Sequence, residues 1–108
     1  VKYKIIWSEF SEKQIDSIFE YYEHKSKSYD IALEIVKGVL LAPNVLIENP
    51  RLGQREISLE NRKIEYRYLV ESNYKITYSI DEENKLVKIA DVFDTRQNPK
   101  KITRDKFT

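Results

Sequence analysis

Apolar residues recur along this chain first with the period of a strand, then of helices, then of strands again. Residues 1–7 alternate, with Tyr3, Ile5 and Trp7 on one face and Lys2 and Lys4 on the other, which predicts a first strand. The spacing then lengthens: Ile15, Ile18, Phe19 and Tyr22 share one side of a helix, and Glu12, Lys13, Asp16, Glu20 and Glu23 fill the other. Ser11 and Gln14 have capping-box spacing, so this helix is expected to start between Ser8 and Ser11 and to end near Lys25. Past a polar break at 26–28, Ala32, Ile35, Val36, Val39 and Leu40 form a second stripe that stops before Pro43, and the two helices should pair as a hairpin. Residues 44–51, with Pro50 and then Gly53, read as an irregular connection in which Gly permits positive φ.

The rest of the chain alternates with a period of two. Residues 64–70, 74–80 and 86–93 predict three strands joined by short loops, hence an antiparallel meander. The expected fold is α+β: an N-terminal strand, a helical hairpin and a three-stranded meander, with the helices on one face of a four-stranded sheet. A three-residue loop at 71–73 would pair Val70 with Tyr74 and Tyr68 with Ile76. Ile64, Tyr66, Tyr68 and Val70 then meet the helices together with Tyr74, Ile76, Tyr78 and Ile80. The same register sets Arg67 opposite Thr77 and Lys75 opposite Leu69, two cations on the uncovered face. Arg96 follows the last strand, which is apolar on both faces over residues 86–92, as in a central strand.

Composition narrows the chemistry. With 41% apolar residues over 108 positions, one core suffices, and 1–108 is read as a single domain. The chain has no Cys and one His, His24, which removes zinc-finger spacings, thiol nucleophiles and Ser-His-Asp hydrolysis. His24 fits better as a cation at a helix C-terminus than as a catalyst. Asp91 and Asp94 have no third ligand nearby, so neither a metal nor another cofactor is expected. No stretch reads as a signal peptide or a membrane span, and a cytoplasmic location is expected. There is no Met, so Val1 is not expected to be the translation start.

Net charge is +1, but residues 1–94 carry 14 Lys/Arg against 17 Asp/Glu, and residues 95–108 carry five against one. Arg96, Lys100, Lys101, Arg104 and Lys106 therefore form either a phosphate-binding arm or a solvated end. Arg67, Lys75 and Arg96, if they converge, suit an anionic partner, whether phosphodiester or acidic protein; sheet faces also carry such residues for solubility alone.

Several segments together resemble one family: Trp7 ahead of a helix hairpin with Ala32, Asn49-Pro50-Arg51-Leu52-Gly53, Tyr66-Arg67-Tyr68-Leu69, Tyr74-Lys75-Ile76-Thr77-Tyr78, and residues 92–99, Val-Phe-Asp-Thr-Arg-Gln-Asn-Pro. In order and spacing they are similar to the RelE/ParE superfamily of type II toxin–antitoxin toxins, over nearly the whole chain. The resemblance implies the same strand, helix-pair and sheet arrangement, a cognate antitoxin as partner, and one of two activities: ribosome-dependent mRNA cleavage or inhibition of DNA gyrase. It implies Lys75, Arg96 and Arg67 as the catalytic set of a metal-independent endoribonuclease, with Lys100, Lys101 and Arg104 on RNA phosphates. The tail Tyr or His that the nuclease branch often uses is missing, since the only aromatic after Arg96 is Phe107. The nuclease is the leading expectation, gyrase inhibition or non-catalytic protein binding the alternative.

Overall fold

The computed structural model describes residues 1–96. Strand β1 (Lys4–Trp7) leads into helices α1 (Glu9–Ser26) and α2 (Tyr29–Leu41). Short 3-10 turns at Ala42–Leu46, Pro50–Leu52 and Ile57–Leu59 bracket a two-residue strand, β2 (Gln54–Arg55), before β3 (Arg67–Glu71), β4 (Tyr74–Asp81) and β5 (Leu86–Asp94). The helix cap is Ser8 rather than Ser11: its Oγ accepts the Ser11 N–H at 3.1 Å. Ser11 instead lies buried in the first turn, its hydroxyl donating to the Ser8 carbonyl at 2.8 Å. Lys27, at φ 56°, ends α1, and Ser28 caps α2 by accepting from Ile31 N–H.

The sheet has five strands, ordered β1-β5-β4-β3-β2, not the expected four. β2 is too short to show a period. β1 runs parallel to β5, and the other pairs are antiparallel. A parallel neighbour is open to β1 because nearly the whole chain, helices included, separates it from β5.

The β3–β4 hairpin closes over Ser72 and Asn73 alone, with Glu71 opposite Tyr74 and Leu69 opposite Ile76. Ser72 sits at φ 55°, as a tight two-residue turn demands. This is one residue from the expected register, and a one-residue slip turns every side chain of a strand over. Leu69 therefore packs on the main core, while Tyr68 and Val70 share the far face with Lys75 and Thr77.

The main core lies between the helices and the sheet: Ile15, Val36 and Val39 meet Tyr74, Ile76, Tyr78, Val87, Ile89 and Val92. β5 serves this face on both sides of a bulge. Its partner register moves from Tyr78↔Ile89 to Thr77↔Asp91, leaving Ala90 as the extra residue, so Ile89 and Val92 both point at the helices. The far face, expected to be open, is partly roofed: Leu59 packs on Phe93 with Tyr66 and Ala90.

Tyr78, fully buried, ties the connection to the sheet. Its hydroxyl donates to the Pro50 carbonyl at 2.7 Å and accepts the Gly53 N–H at 3.0 Å. Gly53 has φ −69°, so it is not needed for a left-handed turn. It is needed for room, because a Cβ there would lie 2.5 Å from the Tyr78 hydroxyl and 2.7 Å from the Tyr68 carbonyl oxygen. Among the described residues no helix is long and apolar enough to cross a membrane.

Candidate functional site

The shifted register separates the three cations that the sequence brings together. Lys75 lies on the far face, where Nζ approaches Glu56 Oε1 and Oε2 at 2.8 and 3.2 Å and sits 4.1 Å from the centre of the Tyr68 ring. Only 4% of the Glu56 side chain is exposed, and 20% of Lys75. The ammonium is thus clamped between a carboxylate and a ring beneath the 56–66 segment.

Arg67 takes the opposite face, paired in register with Tyr78. Its Nη1 donates to the carbonyls of Gly53 and Arg51 at 2.9 and 3.3 Å, and Nη2 pairs with Glu65 at 2.9 Å. Its Nε is buried with no hydrogen-bond partner. A guanidinium spread over two backbone carbonyls and one carboxylate holds the 51–53 turn against β3. It borders a small cavity of about 270 Å³ with Arg51, Ile64, Glu65 and Ile80.

Arg96 stands at the other end of β4, beside Tyr74. Arg67 neighbours Tyr78, four residues along, or roughly 13 Å at strand rise. Arg96 grips Asp94 through Nε and Nη2 at 2.9 and 2.8 Å, and its N–H donates to the same carboxylate. Hydrogen bonds from Arg96 and from Asn73 Nδ2 hold the Asp94 carboxyl down at about 2. The guanidinium pKa is raised in turn, first by Asp94 and then by Tyr22. Tyr74 and Tyr22 hydroxyls meet at 3.5 Å, and burial pushes the Tyr74 phenol well up. Arg96, Tyr74, Tyr21, Ile18, Ser17 and Gln14 line a cleft of about 470 Å³.

Arg96 lines the cleft beside α1, Arg67 borders the smaller cavity and Lys75 lies on the far face, and each of the three is already held by a carboxylate. Lys100, Lys101 and Arg104 lie outside the described residues. The two aspartates are also committed: Gln14 Nε2 donates to Asp91 at 2.7 Å, and Arg96 holds Asp94. Among the described residues no group of three metal-ligating side chains forms. Glu56 and Tyr22, the partners that fix Lys75 and Arg96, were invisible to sequence reasoning as such. Glu56 falls in a connection without period, and Tyr22 reads only as core.

The arrangement of elements has known counterparts. A family model described as ParE toxin of type II toxin–antitoxin system, parDE, matches residues 5–99. This chain belongs to the ParE toxin family. A solved chain described as the chromosomal ParDE TA system from P. aeruginosa shares its fold, with a TM-score of 0.69 over 86% of this chain and 96% of its own length at 14% identity. No curated protein matches the sequence. Within the ParE family assignment, the wider RelE/ParE resemblance of residues 49–53, 66–69 and 74–78 stands on elements that the structure ties together: Gly53 under Tyr78, and Tyr68 over Lys75.

Proposed function

We propose that this ParE-family chain is a growth-inhibiting toxin that acts by binding a protein target, DNA gyrase first among candidates, and that 1–108 forms one toxin domain neutralised by a cognate antitoxin in the cytoplasm. The carrying observation is the dispersal of Arg67, Lys75 and Arg96 over two sheet faces, each spent on a carboxylate. Cleavage by an internal 2′-hydroxyl needs a base, an acid and charge stabilisation within hydrogen-bond reach of one phosphate. Binding a target needs only a surface, and it calls for no metal and no cofactor.

Two assays on the purified chain, freed of antitoxin, test this. Loss of supercoiling by gyrase with intact mRNA on programmed ribosomes is the expected result. Codon-dependent cuts abolished by Arg96→Ala would overturn it and restore the endoribonuclease, with ribosome and mRNA as partners.

A further inference from the structure

The carboxylates that hold the cations are not equally committed. Glu56 and Asp94, the partners of Lys75 and Arg96, keep 4% and 18% of their side chains exposed, whereas Glu65 and Glu82, the partners of Arg67 and Arg51, keep 52% and 46%. An ion pair open to water contributes little, so an incoming acid can take the place of Glu65 or Glu82 at small cost. The two exchangeable pairs meet at one spot: Arg51 and Arg67 both line the cavity of about 270 Å³, and Arg67 Nη1 donates to the Arg51 carbonyl at 3.3 Å. Arg67 Nη2 faces Glu65 while Nε has no hydrogen-bond partner. That Nε–Nη2 edge is the one by which Arg96 grips Asp94, and it suits a carboxylate held at both oxygens.

Apolar groups surround these guanidinium groups. Ile64 and Ile80 complete the cavity wall, and Ile64 and Leu52, the latter next to Arg51 in the chain, are exposed. Residues 51–67 carry Arg51, Arg55, Arg62, Lys63 and Arg67 against Glu56, Glu60 and Glu65, and Glu56 is buried with Lys75. α1 and α2 carry the opposite excess, of carboxylates over lysines. A nucleic-acid backbone at this cavity would meet Glu65 and Glu82 and gain nothing from the isoleucines. A protein segment that pairs an acidic side chain with an apolar one matches both the charge and the wall.

We infer that this cavity, with the exposed Ile64 in its wall, is the surface that docks the target protein, and that the target presents an Asp or Glu to Arg51 and Arg67 and an apolar side chain to Ile64 and Ile80. This rests on the protein-target reading above, with gyrase as the target, and it assigns the docked segment a negative charge.

The test compares the full chain with its Arg51→Glu and Ile64→Glu variants in gyrase supercoiling assays, with the urea midpoint and the affinity for the protein encoded beside it measured on each. Both side chains are more than half exposed, so folding and antitoxin affinity should hold while the concentration for half inhibition rises about tenfold. Ile64→Glu leaves both arginines in place, so it separates loss of the surface from loss of the Arg51–Glu82 tie and serves alone if Arg51→Glu does not fold. Folded variants that inhibit gyrase as strongly as wild type overturn the docking surface and leave the target reading standing. A wild-type chain that neither binds nor inhibits gyrase overturns both. Binding of single-stranded RNA or duplex DNA by wild type that Arg51→Glu abolishes replaces the protein partner with a nucleic acid and overturns the proposal. Equal loss of gyrase inhibition and antitoxin affinity in the folded variants gives the cavity to the antitoxin and overturns it as well.

Discussion

Lys75 Nζ lies 2.8 Å from a Glu56 carboxylate that is itself almost wholly buried, so one ammonium fastens the 56–66 segment to the middle of the sheet. Removing one partner of a buried pair leaves the other charge stranded, a loss of about 3 kcal/mol. Lys75→Ala should therefore unfold at markedly lower urea, and Lys75→Ala with Glu56→Leu should recover part of the loss in a double-mutant cycle. Strict additivity would show that the pair is not coupled. Any loss of toxicity in Lys75→Ala has to be weighed against this loss of stability.

Tyr78 gives a second test, because its hydroxyl satisfies a carbonyl and an amide of the 50–53 turn in a fully buried site. Tyr78→Phe keeps the ring and strands both groups, which costs roughly 1–3 kcal/mol. Gly53→Ala forces a Cβ into the same place and should destabilise by a similar amount, about 1–3 kcal/mol, through overpacking. Chemical denaturation of the two variants would settle it; unchanged midpoints would rule out the tether.

Gln14 bridges helix and bulge, donating to Asp91 at 2.7 Å and accepting the Val92 N–H at 2.7 Å. Gln14→Glu keeps the acceptor but replaces the donor with a second carboxylate beside buried Asp91. Two carboxylates at hydrogen-bond distance cannot both ionise cheaply, so the raised pKa makes the variant weakest at neutral pH and brings it toward wild type as pH falls. A stability difference independent of pH, in thermal melts from pH 4 to 8 (about the carboxylate range), would contradict the bridge.

Asp94 carries a pH dependence of the opposite kind. Arg96 holds its carboxyl at about 2, below the ordinary value of 3.8. A depressed carboxylate contributes stability in full above the ordinary value and loses it as pH falls toward 2. Arg96→Ala should raise the carboxyl, visible in a carbon-detected NMR titration, and flatten acid unfolding in that window. An unshifted titration would mean that the pair does not persist in solution.

Much of the fold was legible because its periods are long or clean. Ile15, Ile18 and Phe19 mark α1, and Tyr74, Ile76 and Tyr78 mark β4 on the helix side, where the structure has them. The face of β3 was not legible. Tyr66, Tyr68 and Val70 look more apolar than the single Leu69 opposite, and only turn length decides which set goes inward. Ser72-Asn73 carries no Gly to announce a two-residue turn. That single residue of loop undid the predicted cation cluster, since it moved Arg67 to the helix side and left Lys75 alone on the other. Glu56 was beyond reach because a tertiary partner in an aperiodic segment leaves no local trace.

The bulge at Ala90 acts as a switch of parity near the end of the described chain. Up to Ile89 odd-numbered residues of β5 turn to the helices, and from Val92 onward even-numbered ones do. Were Ala90 paired in regular alternation instead of bulged out, Val92 and Asp94 would turn to the far side and Phe93 inward. Arg96 would then leave the sheet over the roof of Leu59 instead of over the α1 cleft, so a single unpaired residue determines on which side of the molecule that guanidinium stands.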